Sequence, residues 1–200
     1  MKKLLAIAAL AALTAQAQAA LLHFTGTIEW NTDVVQINFT LDQDATNVRI
    51  WTDSYQGGVN FDPITALWNL STGALINYND DNAYIGPNQT SYDSGFILPT
   101  LAAGEYAFTV AAYNNFPGSN LSDLFDFERY GMQPQLLSTW CQPASHCGMG
   151  GYWSVWLDGV DFASNPNDPD PNNVPEPGTL ALAALGLVGL AALRRRKSAA

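Results

Sequence analysis

The sequence predicts an all-β protein: an antiparallel β-sandwich of jelly-roll type with about eight strands. Two observations indicate this class. Short stretches of alternating apolar and polar residues recur along the chain, and Gly, Asn, Asp and Pro separate them. Between residues 20 and 162, only residues 121–130 have the apolar spacing of a helix, and they are too few for three turns. We therefore expect residues 20–162 to form one sandwich domain.

The alternation defines the strands one by one. In residues 35–41, Val35, Ile37 and Phe39 point to one face, and the polar residues between them point to the other. Tyr106 and Phe108 repeat the pattern after a turn that contains Gly. The predicted strands lie at residues 24–30, 35–41, 47–50, 64–70, 74–78, 92–98, 105–112 and 152–157.

Residues 1–19 are typical of a secretory signal peptide. Lys2 and Lys3 form the charged start, residues 4–13 form an apolar run, and Ala17-Gln18-Ala19 is a small-x-small cleavage site. We expect an N-terminal signal helix that directs export across the inner membrane. Export places the remaining chain in a compartment where disulfide bonds persist.

The C-terminal residues predict a transmembrane helix. Residues 178–193 carry no charge, and Arg194, Arg195, Arg196 and Lys197 follow at once. This helix is short, yet close to the length that a ~30 Å hydrocarbon layer requires. The basic cluster is expected to stay cytoplasmic as a membrane stop, which leaves the sandwich on the far side. Residues 163–174, rich in Pro, Asn and Asp, are expected to form an extended linker.

Pro175, Glu176 and Pro177 stand just before this apolar segment. A Pro-Glu-Pro motif, an apolar helix and an Arg cluster, in that order, resemble the PEP-CTERM sorting tail of Gram-negative bacteria. The resemblance implies that a membrane-embedded exosortase recognises residues 175–200 and removes them. It also implies transient anchoring in the inner membrane and then release to the cell surface or the extracellular polysaccharide matrix.

Charge and composition exclude some classes of function. Apart from the two terminal clusters, only Arg49 and Arg129 oppose the 18 acidic residues. Nucleic-acid binding requires a basic face, so we exclude it. The two histidines, His23 and His146, provide little material for a catalytic triad or a zinc site. We therefore expect a protein that is not an enzyme.

Residues 61–82 carry a second resemblance. They contain a Phe-Asp-Pro start, an apolar strand, a Gly turn and an Asp-Asp pair, and a Leu-x-x-Gly-x-Tyr strand follows at residues 101–106. This pattern is similar to bacterial pre-peptidase C-terminal (PPC) domains over roughly residues 24–116. The resemblance implies a small, non-catalytic β-sandwich on an exported protein. Residues 117–151 depart from the pattern.

Oxygen-bearing side chains gather around the same hairpin. Several carboxylate and amide oxygens close together suit calcium, the usual hard cation outside the cell. The alternative is that these residues only form turns, which Asn and Asp do without a metal. The expected calcium ligands are Asp62, Asn79, Asp80, Asp81 and Asp93.

Cys141 and Cys147 are the only two cysteines of the chain. In an exported protein we expect them to form a disulfide that closes a short loop. Two alternatives remain open from the sequence: a reactive Cys147 beside His146, or a metal site made by these three residues.

The sequence thus predicts an exported, non-catalytic protein of the cell surface or extracellular matrix that an exosortase processes. The alternative function is a carbohydrate-binding module attached to exopolysaccharide, because the chain contains six tryptophans and indole rings stack on sugars. Tryptophans exposed along one flat sheet would favour carbohydrate binding. Buried tryptophans would favour the structural role.

Overall fold

The computed structural model describes residues 21–142 and 146–167. All of them belong to one compact unit that spans Ala20–Pro175. The predicted signal peptide, the transmembrane helix over 178–193 and the sorting motif lie outside the described residues. Within the described ranges, no helix is long and apolar enough to cross a membrane.

The described residues form nine strands and one helical turn. The strands are β1 (Leu22–Thr27), β2 (Val34–Leu41), β3 (Ala45–Thr52), β4 (Pro63–Asn69), β5 (Leu75–Asn79), β6 (Gly95–Leu101), β7 (Gly104–Ala112), β8 (Tyr152–Asp158) and β9 (Phe162–Ser164). The helical turn is α1 (Asp126–Arg129).

These strands form two antiparallel sheets. One sheet has four strands in the order β1-β8-β3-β6, and the other has five in the order β5-β4-β7-β2-β9. The prediction of an all-β fold with antiparallel pairing is confirmed for the described part of the chain. The jelly-roll type stays a prediction.

A shared core joins the two sheets. Every second residue of β2 is buried, from Val35 to Leu41, because the period of two sends alternate side chains to one face. These side chains pack in one cluster with Ile50 of the opposite sheet. The rings of Phe96 and Phe108, one from each sheet, have centroids 6.2 Å apart. The two sheets therefore pack face to face as a sandwich.

The five-stranded sheet also buries part of its outer face. Ala66, Trp68, Ala107 and Ala111 form a second apolar cluster with Phe125, which precedes α1. The rings of Trp68 and Phe125 lie 6.2 Å apart. The predicted helix over 121–130 is reduced to the single turn α1. The physical reason is a local turn, because the Asp123 carboxylate accepts the N–H groups of Ser119 and Asn120.

Two strands begin or end away from their predicted bounds because carboxylates cap nearby loops. β1 ends at Thr27, and Asp33 Oδ2 accepts the backbone N–H groups of Glu29 and Trp30, which turns the chain. β6 begins at Gly95 rather than at residue 92, because Asp93 closes the preceding loop through hydrogen bonds.

β9 extends the folded body beyond the predicted boundary at residue 162. Its three residues pair with β2, and Ala163 is fully buried in the core. β9 therefore includes residues 163 and 164, which the sequence assigned to the linker over 163–174. A strand this short has no alternation that a sequence pattern would reveal.

Candidate functional site

Three of the predicted calcium ligands meet at one end of the β4–β5 hairpin. Asp62 directly precedes β4, and Asp80 and Asp81 directly follow β5. The two strands are antiparallel, with Thr65 opposite Asn79. The start of β4 and the end of β5 therefore lie side by side, which brings the three carboxylates together.

The three carboxylates form a compact cluster graded from the interior to the surface. Each offers an oxygen atom, and these atoms all lie within 4.8 Å of one another. Asp62 is only 4% exposed, Asp80 is half-buried, and Asp81 is exposed. The cluster thus reaches from the protein interior to solvent.

Gln142 holds Asp62 from two sides. Its Nε2 donates to Asp62 Oδ2 at 2.9 Å, and its Oε1 accepts the N–H of Asp62 at 3.1 Å. Asp62 Oδ1 is buried and has no hydrogen-bond partner among the described residues, and the same is true of Asp80 Oδ1. Two acceptor oxygens therefore remain unsatisfied inside an acidic cluster, which is an unfavourable state for a protein alone.

Burial and mutual repulsion disfavour the charged forms of these groups. Burial, together with the charges of Asp81, Asp80 and Asp93, raises the pKa of Asp62 to about 8, and the Gln142 hydrogen bond opposes the rise. Burial also raises the pKa of Asp80 to about 6, with a contribution from Asp81. The pKa of Asp81 is raised by burial as well.

The described residues supply no cationic side chain to neutralise this cluster. The described ranges contain two arginines and no lysine. Arg49 pairs with Asp158, on the opposite sheet from β4 and β5. Arg129 pairs with Asp126 at 3.2 Å within α1. Both arginines of the described ranges therefore pair with other carboxylates.

The other two predicted ligands have different contacts. Asn79 Nδ2 donates to the backbone oxygen of Gly95 at 2.8 Å. Asp93 is fully buried, and both of its carboxylate oxygens accept hydrogen bonds from Thr52, Tyr55 and Thr90. The structure thus brings together three of the five predicted ligands and uses Asp93 to close a loop.

Cys141 and Cys147 form a disulfide, as predicted. Gln142 lies inside this small loop, and its backbone N–H donates to the oxygen of His146 at 2.9 Å. The disulfide loop therefore presents the side chain that holds Asp62. Sequence reasoning missed Gln142. The one available signal is that it directly follows Cys141, since a disulfide restricts the backbone of the neighbouring residue.

Sequence reasoning also missed a polar network on the outer face of the four-stranded sheet. His23 Nε2 lies 2.9 Å from Ser154 Oγ, and Ser154 Oγ donates to Asp53 Oδ1. Burial lowers the pKa of His23, whereas the charge of Asp53 opposes that shift. No local pattern links these residues, because His23 and Ser154 are 131 positions apart.

The tryptophans are mostly in the interior. Trp30 is 38% exposed, and Trp156 is half-buried and stacks on His23 with ring centroids 3.7 Å apart. The four buried tryptophans are Trp51, Trp68, Trp140 and Trp153. They form no exposed line along one flat sheet.

Comparison with known proteins identifies the C-terminal segment. Residues 173–197 match the PEP-CTERM protein-sorting motif. The match indicates an exported protein whose tail is anchored in the membrane until an exosortase processes it. No curated protein and no solved structure matches the chain significantly.

Proposed function

We propose that this chain is a non-catalytic protein of the Gram-negative cell surface or extracellular matrix. The observation that carries the proposal is the sorting motif at residues 173–197. The folded part is a single sandwich whose two sheets share one apolar core. We further propose that this sandwich is a PPC-like domain, which resembles domains that accompany exported proteins without catalysing a reaction.

The arrangement of polar groups supports a non-catalytic role. In a serine nucleophile triad, the histidine stands between serine and aspartate and accepts the serine proton. Here Ser154 stands between His23 and Asp53 and donates to the carboxylate. Ser154 is also buried, so a substrate would not reach its hydroxyl.

Two surface cavities formed by described residues support the same proposal. A cavity of about 380 Å³ beside β1 and β2 has Asp33 as its one acidic residue, and this carboxylate accepts two backbone N–H groups. A second cavity places Asp123 together with Arg129. Hydrolysis of glycosides requires two carboxyl groups that face each other across the substrate. Neither cavity offers such a pair.

Mass spectrometry of the mature protein from the matrix fraction tests the proposal. We expect the wild-type protein to lack Arg194, Arg195 and Arg196. We expect the tail to persist, in the membrane fraction, in an exosortase-deficient strain and in a Pro175→Ala/Pro177→Ala variant. Pro169→Ala, a linker proline outside the motif, is the matched control and is processed normally. An intact Arg194–Arg196 terminus in wild-type matrix protein contradicts the proposal.

The alternative function, binding to exopolysaccharide, is favoured by one observation. His23 is exposed on the outer face of the four-stranded sheet, and it ends a row of stacked rings in which Trp156 lies between His23 and Trp51. Flat rings at a surface are typical contacts for sugars. Co-sedimentation with purified exopolysaccharide tests this function: we expect His23→Ala to abolish binding, whereas Tyr130→Ala, which removes an exposed aromatic residue elsewhere, should retain it.

A further inference from the structure

We propose that Asp62, Asp80 and Asp81 bind one divalent cation, with calcium preferred, and that Gln142 positions Asp62 for this task. The inference is independent of the sorting tail and adds a ligand site to the sandwich. It starts from the cluster itself, in which one oxygen from each carboxylate lies within 4.8 Å of the others.

The second observation is the unsatisfied buried oxygen of Asp62. Only 4% of this residue is exposed, yet its Oδ1 atom has no hydrogen-bond donor among the described residues. Asp80 Oδ1 is unsatisfied in the same way. Buried polar atoms in native proteins nearly always have a partner, so two in one cluster indicate that a partner comes from outside the chain. Because the neighbours are negative, that partner is a cation.

The third observation is that the described residues offer this cluster no lysine or unpaired arginine. Arg49 and Arg129 are paired with Asp158 and Asp126, and the described ranges contain no lysine. The contrast with Asp158 is informative, since that carboxylate receives an arginine and the three-carboxylate cluster does not. A bound cation would supply the positive charge that the described side chains do not provide.

The geometry favours calcium. Calcium takes oxygen ligands at about 2.3–2.6 Å, so ligands on opposite sides of the ion are about 5 Å apart. Oxygens within 4.8 Å of one another can therefore share one calcium ion. Magnesium requires a smaller octahedron and retains its waters, so a set of three carboxylates suits it less well. The exposed Asp81 leaves room for water to complete the coordination.

Gln142 acts on the site through Asp62. It contacts both the backbone N–H and Oδ2 of Asp62, which fixes the carboxylate and leaves Oδ1 available. The Cys141–Cys147 disulfide anchors the segment that carries Gln142. Residues that orient a metal ligand commonly contribute about 10- to 100-fold in metal affinity. Gln142 is thus a positioning residue in the segment that departs from the PPC pattern.

The test is equilibrium dialysis of calcium against the full chain with its disulfide intact, together with thermal unfolding in calcium and in chelator. We expect one calcium ion per chain, with Kd about 10⁻⁴ to 10⁻³ M, and a Tm that rises with calcium concentration. Magnesium at the same concentration is expected to give a smaller rise.

Four variants localise the site. Asp80→Asn and Asp81→Asn are expected to weaken calcium binding at least about tenfold, and Gln142→Ala about tenfold. Asp42→Asn is the matched control, because it removes an exposed carboxylate outside the cluster and is expected to leave the calcium Kd unchanged. Asp80 and Asp81 are not core residues, so their variants are expected to fold.

Each contrary outcome overturns the proposal. No calcium bound by the wild type at 10 mM, about tenfold above the weakest expected Kd, would show that the cluster binds no calcium. Equal binding by wild type, Asp80→Asn and Asp81→Asn would place the ion elsewhere. A Gln142→Ala variant that loses stability but keeps the wild-type Kd would show that Gln142 is structural only.

Discussion

The loop that ends at Asp93 and the end of the β4–β5 hairpin at Asp62 each bury an aspartate. The two side chains are 0% and 4% exposed. Asp93 Oδ1 accepts from Thr52 Oγ1 and the Tyr55 N–H, and its Oδ2 accepts twice from Thr90. Asp62 receives one side-chain hydrogen bond, from Gln142, and its Oδ1 receives none.

The comparison shows two uses of a buried carboxylate. Burial of a charge is unfavourable unless hydrogen bonds or an opposite charge compensate for it. At Asp93 four hydrogen bonds from the chain oppose the rise in pKa that burial causes, so the acid organises the loop between β5 and β6. At Asp62 the chain provides less, and three acidic neighbours, Asp81, Asp80 and Asp93, increase the cost. The oxygens of Asp93 are therefore satisfied by the chain, whereas Asp62 keeps an unsatisfied oxygen, which is the observation behind the proposed cation site.

The largest expected effect is that of Asp93→Ala. The substitution leaves four donors inside the protein without an acceptor, so we expect a loss of about 3 kcal/mol in the free energy of unfolding. Urea unfolding measures it, and the loss should be equal in calcium and in chelator. A loss of the calcium response in this variant would break the comparison, because it would make Asp93 a ligand.

The next effect is that of removing the disulfide. We expect Cys141→Ser/Cys147→Ser to lose about 2 kcal/mol in the free energy of unfolding in chelator, because the unfolded chain gains freedom. In calcium the loss should be larger, since Gln142 no longer holds Asp62 firmly. The same double substitution in an Asp62→Asn background is the control, and there the two losses should be equal. Equal losses in calcium and in chelator in the wild-type background would show that the disulfide loop does not influence cation binding by the acidic cluster.

Asp62→Asn is expected to have a smaller effect of opposite sign. In chelator it should stabilise the protein by about 1 kcal/mol, because the wild-type acid must either bind a proton or keep an unfavourable buried charge, whereas the amide is neutral and still accepts from Gln142. In calcium the order reverses, since the variant lacks a ligand. Tm values of wild type and variant in both conditions measure this crossover. If the variant is more stable in both, Asp62 is only a buried acid and the cluster binds no calcium.

Sequence reasoning succeeded where the determining contacts are local. The alternation in β2 fixes which side chains enter the core, and the hairpin of β4 and β5 brings Asp62 to Asp80 and Asp81. β9 was not predicted, because its three residues are stabilised by pairing with β2, which lies far away in the sequence.

The contacts that distinguish Asp62 from Asp93 are long-range. Gln142 is 80 residues from Asp62, and Thr52 is 41 residues from Asp93. The sequence around an aspartate in a loop looks the same whether its oxygens contact hydrogen-bond donors or other carboxylates. The sequence therefore predicts a set of oxygen-bearing side chains, and only the fold separates the three carboxylates that cluster from Asp93, which caps a loop, and from Asn79, which donates to Gly95.

Asp123 extends the comparison to the surface and carries the smallest expected effect. Like Asp93 it caps a turn, since Oδ2 accepts from Ser119 N–H, Ser119 Oγ and Asn120 N–H. Because this side chain is exposed, hydrogen bonds outweigh burial and lower its pKa below the ordinary value of 3.8, and the backbone N–H of Asn120 makes the largest contribution. At Asp93, by contrast, burial raises the pKa.

A lowered pKa in the folded state fixes the direction of the pH dependence. The Asp123 carboxylate contributes stability at pH values above about 3.8, and this contribution is lost as the pH falls through its folded pKa. We expect Asp123→Asn to have a slightly lower Tm than wild type at pH 5, and the difference to shrink towards pH 2. Ser119→Ala, which removes one donor and keeps the acid, should lie between them. A difference that grows as the pH falls would contradict the role of Asp123 as an ionised cap. The pKa values of aspartates in this sandwich would then follow burial, the feature that Asp62 and Asp93 share, rather than hydrogen bonding.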